Sequence, residues 1–174
     1  MTSYKQWRIE RWDTPLSDIG SVALASLLDS GGQLTITIEA PREPGRPRWV
    51  FTFDTYPGYR NILEEFRLQL WEHLDATQQR CGNTFCVANS PWIEILRAEE
   101  GVFEHFYPKI AHYVILTEDD VIEILSPQLP TINSHGITSN NEAPAGKSTV
   151  FYNSKDRDKI EEVFPQLKRG NDDA

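Results

Sequence analysis

The chain has 174 residues, of which 39% are hydrophobic and 11% aromatic, enough apolar material for one ordinary domain with a sizeable core. Its 17 basic and 26 acidic residues give a formal net charge of −9, which disfavours binding to nucleic acid and to anionic lipid. The sequence shows neither a signal peptide nor an apolar run of about 20 residues, so it predicts a cytoplasmic protein that is not bound to a membrane.

The first part of the sequence predicts three strands and one helix. Residues 4–12 alternate aromatic or apolar with polar side chains, which is typical of a half-buried strand. From Ser17 onward the apolar residues come near helical spacing, and this predicts a helix that ends before Gly31. Residues 33–39, QLTITIE, alternate strictly, and residues 48–53, RWVFTF, predict the antiparallel partner strand.

The middle of the sequence contains one ambiguous segment. Residues 59–74 match both a helix and a strand, and a helix is favoured because most charged residues then lie off the apolar stripe. Residues 84–88 predict a short strand. Ser90 followed by Pro91 is typical of a helix N-terminus, so a short helix is predicted that ends at Gly101.

The segment IAHYVILTEDDVIEIL, residues 110–125, contains three consecutive carboxylates, Glu118, Asp119 and Asp120. An antiparallel hairpin is favoured because its two halves are rich in β-branched residues, and the carboxylates would then cap the connection in solvent. Two alternatives stay open. One is a helix with Thr117 as its N-cap, and the other is a site for a divalent metal held by carboxylate oxygens.

These elements together predict a single α+β domain, mainly antiparallel sheet with two to four helices packed on it. Residues 1–126 form the predicted core domain. Residues 127–147 are predicted as a loop or linker because Pro, Asn, Ser and Gly dominate there without a period. Residues 148–174 predict a C-terminal strand and helix that pack on the core.

Residues 4–126 resemble the small acidic immunity proteins of bacteria, which accompany secreted toxins. The likeness lies in the acidic α+β character, in SPW (residues 90–92) before a short helix, and in the hairpin sequence IAHYVILTEDDVIEIL. What the resemblance implies is a cytosolic protein that acts by binding, in which an acidic face blocks a basic enzyme such as a nuclease or another toxin domain.

Acidic residues are concentrated in residues 94–123, a segment with eight carboxylates and only two basic side chains. Aromatic side chains lie among them, and interfaces often combine large rings with a charged rim. The same pattern also fits rings that fill the core below a solvated acidic face.

The sequence favours a non-enzymatic protein that masks a basic protein partner, without catalytic residues, metal or cofactor. The residues predicted to bind the partner are Trp92, Glu99, Glu100, Phe103, Glu104, Glu118, Asp119 and Asp120.

Two other functions stay open. A metal-dependent hydrolase would use the carboxylates of Asp119, Asp120 and Glu123 together with His112. A structural adaptor subunit would instead present a large apolar patch and associate with itself. A shift of the melting temperature on adding a divalent metal would favour the hydrolase.

Overall fold

The computed structural model describes residues 7–79 and 81–135, which belong to one compact unit within residues 1–141. The described residues form three α-helices, α1 (Leu68–Thr77), α2 (Pro91–Glu99) and α3 (Phe103–Phe106), and a 3₁₀ turn at Glu64–Phe66. They also form nine strands, β1 (Arg8–Arg11), β2 (Ala23–Ser30), β3 (Gln33–Glu39), β4 (Arg48–Phe53), β5 (Gly58–Leu63), β6 (Thr84–Ala88), β7 (Ala111–Leu116), β8 (Asp120–Ser126) and β9 (Thr131–His135). The predicted fold class, α+β with mainly antiparallel sheet, is confirmed. In this part of the chain every helix is too short or too polar to cross a membrane.

The strands make two antiparallel sheets. The first sheet has the order β1-β6-β7-β8-β5, and the second has the order β2-β3-β4-β9. Side chains of β7 and β8 that point toward the second sheet, such as Tyr113 and Ile122, share one core with Ile36 and Phe51 of β3 and β4. The sequence predicted antiparallel pairing of the strands. The structure adds that the strands are divided between two sheets.

The first sheet is buried on its other face as well. Val114 and Val121 point away from the second sheet and pack with Leu70 and Leu74 of α1. Because successive strand residues point to opposite faces, β8 has no solvated face and is buried almost throughout. Any charged residue in the middle of β8 must therefore find its partners inside the protein.

The helix predicted from Ser17 is wrong, since residues 23–30 form strand β2. The pairing of β2 with β3 shifts its register between Leu24 and Ser26, and this irregularity interrupts the alternation that would have marked a strand. The apolar residues then fall near helical spacing by coincidence. Ser17 is not an N-cap: its hydroxyl donates a hydrogen bond to the backbone carbonyl of Trp12 at 3.0 Å.

The two glycines expected to end that helix instead connect β2 to β3. Gly31 and Gly32 have φ values of +62° and +81°, and they join Ser30 to its cross-strand neighbour Gln33. A two-residue hairpin turn with positive φ at both positions favours glycine because other residues are strained there.

The segment 59–74 is half strand and half helix, so the prediction of a helix throughout is wrong. Residues 58–63 form β5, which pairs with β8 at the edge of the first sheet, and α1 begins only at Leu68. The strand period in the first half of the segment is followed by the helix period in the second half. Each pattern therefore fitted only part of the segment.

Several local predictions are confirmed. Strands β3, β4 and β6 lie where the sequence placed them, and residues 111–126 form the predicted β7–β8 hairpin and not the capped helix. The loop predicted for residues 127–147 is corrected at residues 131–135, where β9 pairs with β4. The strand and helix predicted for residues 148–174 lie outside the described residues.

Candidate functional site

Glu123 lies in the middle of β8 with only 1% of its surface exposed. It faces Arg60 of β5 directly in the strand register. Nε of Arg60 donates to Oε2 of Glu123 at 2.6 Å, and Nη2 of Arg60 donates to Oε1 at 2.8 Å. This two-point pairing supplies charge-assisted hydrogen bonds that replace much of the lost hydration of the carboxylate.

A second arginine reaches the same carboxylate from the start of α1. Arg67 immediately precedes this helix, and its Nη2 donates to Oε1 of Glu123 at 2.8 Å. Two guanidinium groups therefore pair with one carboxylate, which leaves a net charge of +1 on these three side chains.

His112 of β7 connects this carboxylate to α2. Its Nε2 lies 3.2 Å from Oε1 of Glu123, and its Nδ1 lies 2.8 Å from Oγ of Ser90. Ser90 is the N-cap of α2, as the sequence predicted, and its Oγ accepts a hydrogen bond from the backbone N–H of Ile93. Because a carboxylate faces Nε2, the neutral ring is favoured with its hydrogen on Nε2, and Ser90 then donates to Nδ1.

The electrostatic environment keeps Glu123 ionised and His112 neutral. Burial lowers the pKa of His112 below its ordinary value of 6.5, although Glu123 opposes this effect. Burial alone raises the pKa of Glu123, but hydrogen bonds from His112 and Arg60 outweigh it and lower this pKa to about 2. At neutral pH the cluster therefore contains two cations, one anion and a neutral imidazole.

Ser90, His112 and Glu123 are residue types that nucleophilic enzymes combine. Here the Ser90 hydroxyl is 2% exposed and caps α2, so it is not presented to a substrate. The charge of Glu123 is already shared with two arginines, and this reduces its ability to stabilise an imidazolium. The arrangement is suited to holding a buried charge and to joining α2 to the first sheet.

A cavity of about 510 Å³ borders this cluster. Trp92 of α2 lines it, with its ring centroid 4.4 Å from Cζ of Arg60 and its ring plane nearly perpendicular to that of His112. Trp7 and His73 also line it, and their rings stack with centroids 3.7 Å apart. The cavity therefore combines two half-buried guanidinium groups with aromatic side chains.

The hairpin acids that the sequence predicted to bind a partner lie at the connection between β7 and β8. Glu118 accepts a hydrogen bond from Oγ of Ser21 at 2.5 Å and forms an ion pair with Arg42 at 2.6 Å. Asp119 is exposed, and Asp120 is half-buried at the first position of β8. Glu118 is thus partly neutralised within the chain, whereas Asp119 faces solvent.

The other predicted acids lie around α2 and α3. Glu99 and Glu100 are exposed at the end of α2, and Glu104 is exposed on α3, where it forms an ion pair with Arg97. These acids precede β7, and the hairpin acids follow it. The six carboxylates therefore form two groups, separated along the chain by a six-residue strand that spans about 20 Å.

The two predicted aromatic anchors pack against other side chains of the same chain. Trp92 is half-buried and packs on Arg60 and His112 at the cavity. Phe103 is half-buried, and its ring centroid lies 5.6 Å from that of Tyr107. Neither ring has the exposure of a surface anchor.

Val102 and Phe106 are strongly exposed apolar side chains next to these acids, and sequence reasoning did not select them as anchors. They are 62% and 68% exposed. The backbone N–H of Phe106 donates to the carbonyl of Val102, so the two residues lie one helical turn apart on the same side. We use the name acidic helical face for the exposed residues Glu99, Glu100, Val102, Glu104 and Phe106 of this segment.

The metal-site alternative required a helix that brings Asp119, Asp120 and Glu123 together. On the observed strand, Asp120 and Glu123 are three residues apart and point to opposite faces. Within residues 7–79 and 81–135, no group of three or more His, Cys, Asp or Glu side chains has the arrangement of a metal site. The geometric premise of that alternative is therefore not met by this hairpin.

Sequence reasoning missed the site around Glu123 for two reasons. Arg60 was assigned to a helix, where it cannot face a residue of β8, and Arg67 was treated as part of the same helix. His112 and Glu123 were considered together only as possible metal ligands beside Asp119 and Asp120, and not as partners of arginines. The signal that was available is the single acid in VIEIL, because a carboxylate inside an otherwise apolar strand needs paired cations.

Comparisons of the chain with protein-family models, with curated proteins and with solved structures give no match.

Proposed function

We propose that this protein is a non-enzymatic binding protein of the immunity or inhibitor type, which masks a basic protein partner with its acidic helical face. The observation that carries the proposal is that Val102 and Phe106 are exposed in a segment in which Glu99, Glu100 and Glu104 are exposed as well. An apolar centre supplies affinity once it is desolvated, and a charged rim orients the partner.

The charge of the partner follows from the charge of this surface. Glu99 and Glu100 have no ion-pair partner within the described residues, and the whole chain carries a net charge of −9. A surface rich in lysine and arginine supplies the missing counter-charges, and the attraction speeds association at low salt. The hairpin acids Glu118, Asp119 and Asp120 add to this steering from a second position.

The resemblance to bacterial immunity proteins supports the same class of partner. It implies a basic enzyme that acts in the cytosol, such as a nuclease, whose active surface is blocked while the complex persists. Masking of this kind needs complementary charge and a few apolar anchors and no catalytic group in the binding protein.

The proposal is tested by placing a photo-crosslinking amino acid at position 106 of the full chain in the cells that produce it. Leu28 is the matched control, because it is also a large exposed apolar residue but lies on β2. We expect one basic protein to be cross-linked from position 106 and not from position 28. Cross-links between two copies of this chain would contradict the proposal and favour a structural adaptor.

The cross-linked protein is then purified, and its association rate is measured against salt. We expect the triple variant Glu99→Gln, Glu100→Gln and Glu104→Gln to associate more slowly and with a weaker dependence on salt, because the steering charge is removed. An unchanged rate at every salt concentration would contradict the role of this face.

A further inference from the structure

We infer that the cavity beside Glu123 is a binding site for a small planar oxyanion, that is, an aromatic ring that carries one carboxylate or phosphate group. The site shares no residue with the acidic helical face. The inference therefore goes beyond the proposed function and is tested independently of it.

The first argument is a concentration of unsatisfied nitrogen atoms at this cavity. Nε of Arg67 and Nε2 of His73 are buried without a hydrogen-bond partner in the described part of the chain, and both residues line the cavity. Buried polar atoms nearly always have partners, so two such atoms in residues that line one cavity indicate that solvent or a ligand completes them.

The second argument concerns which partner these atoms require. Nε of Arg67 can only donate a hydrogen bond, and the buried carboxylate of Glu123 already accepts three from arginines. The ligand must therefore bring acceptors of its own. An anionic oxygen is the strongest acceptor for a guanidinium N–H.

The third argument is charge. The three side chains of Arg60, Arg67 and Glu123 leave +1 at the cavity wall, which favours a ligand that carries negative charge. Glu72 also lines the cavity, but its side chain is exposed, so water and salt screen its charge. His112 is neutral because burial lowers its pKa, and so it does not add to this charge.

The fourth argument is shape. The aromatic residues Trp92, Trp7 and His73 line the cavity, and Leu70 and Val114 add apolar surface. The volume of about 510 Å³ lies within the roughly 300–1,000 Å³ of small-molecule sites. Flat and apolar walls favour a planar ring, and the arginine side of the cavity favours its charged substituent.

The test is an NMR titration of the full chain that follows the Nε–H signals of its arginines. Two oxyanion probes, indole-3-acetate and adenosine monophosphate, are compared with two neutral probes, indole-3-acetamide and adenosine. The signal of Arg67 is assigned by its loss in Arg67→Lys. We expect it to shift and saturate with at least one oxyanion, and the oxyanion that binds distinguishes a carboxylate ligand from a phosphate ligand.

The matched variants are Ile95→Glu and Ile95→Gln. Ile95 lines the cavity from α2 with nearly half of its surface exposed, so both replacements leave the core intact. We expect Ile95→Glu to weaken oxyanion binding about tenfold through charge repulsion. Ile95→Gln has a similar size without charge, and we expect it to bind within about twofold of the unchanged protein.

Three results would overturn the inference. The first is the absence of any shift of the Arg67 signal with both oxyanions at millimolar concentration. The second is equal binding of an oxyanion and its neutral counterpart, and the third is equal affinity in Ile95→Glu and Ile95→Gln. None of these results bears on the basic partner, which is tested at position 106.

Discussion

The cluster around Glu123 and the acidic helical face contain the same chemical group in opposite environments. Glu123 is 1% exposed and pairs with two arginines, whereas Glu99 and Glu100 are exposed and have no ion-pair partner in the part of the chain that the structure describes. An unpaired charge inside a protein costs several kcal/mol, and a hydrated charge at the surface contributes little to stability. The buried acid therefore helps to hold the fold, and the exposed acids are free to meet a partner.

The comparison also teaches that the net charge of a segment does not describe its surface. Residues 94–123 carry eight acids, but Glu123 is neutralised inside the protein and Glu118 is paired with Arg42. Glu94 and Glu104 share Arg97. The charge available to a partner is thus smaller and more localised than the sequence indicated.

The largest expected effect is that of Glu123→Gln. The replacement leaves the half-buried guanidinium groups of Arg60 and Arg67 without their counter-charge, and we expect the free energy of unfolding to fall by about 3 kcal/mol. Urea unfolding followed by circular dichroism measures this change. The matched control is Glu99→Gln, for which we expect a change within about 0.5 kcal/mol. Equal changes in both variants would remove the distinction between the two regions.

A second expected effect is loss of stability in acid. The folded-state pKa of His112 lies below 6.5, so the unfolded chain takes up this proton first and stability begins to fall as the pH drops below about 6.5. The pKa of Glu123 is lowered from 4.5 to about 2, so its contribution is full above pH 4.5 and is lost as the pH falls toward 2.

Melting temperature measured against pH checks this prediction. We expect a decline in two stages, and the stage just below pH 6.5 should be smaller in His112→Gln, which has no imidazole to titrate. If both proteins lose stability in parallel over that range, His112 does not have the buried, neutral state described above.

A smaller effect is expected from Ser90→Ala. This change removes the N-cap of α2 and the partner of His112 Nδ1, and we expect a loss of about 1–2 kcal/mol in the free energy of unfolding. Chemical denaturation measures it. Ser134→Ala on β9 is the control, because that residue is exposed, and its replacement should change stability by no more than about 0.5 kcal/mol. A neutral Ser90→Ala would show that α2 does not depend on this connection.

The smallest effect on stability is expected from Phe106→Ser on the acidic helical face. The ring is 68% exposed, so its removal should change the free energy of unfolding by no more than about 0.5 kcal/mol. Phe51→Ser in the core shared by the two sheets is the contrast, with an expected loss of at least about 3 kcal/mol. Thermal unfolding compares the two variants, and a marked destabilisation by Phe106→Ser would show that the ring serves the fold and not a partner.

Local signals were sufficient where a short stretch of sequence decides the structure. The alternation of QLTITIE gave strand β3 with the predicted bounds, and the pair Ser90-Pro91 marked the start of α2. The predicted hairpin formed because both of its strands are rich in β-branched residues. In each case the decisive interactions join residues that are near neighbours in the chain.

Local signals failed where pairing with a distant strand decided the outcome. The irregular pairing of β2 with β3 disturbed the pattern that would have identified β2. Residues 58–63 became a strand through pairing with β8, about sixty residues further along the chain. The acids of the candidate binding face were predicted by their charge, but their exposed apolar neighbours Val102 and Phe106 could be recognised only once the core was known.

The sequence by itself determined an acidic α+β protein with antiparallel strands, a capped α2 helix and carboxylates around a hairpin, because composition, alternation and capping act over a few residues. Only the tertiary structure decided that Glu123 is buried against Arg60, Arg67 and His112 and that a cavity lies beside them. The physical reason is that the burial of Glu123 depends on which elements cover its strand, and the arginines that pair with it lie about sixty residues earlier in the chain, beyond the reach of local sequence patterns.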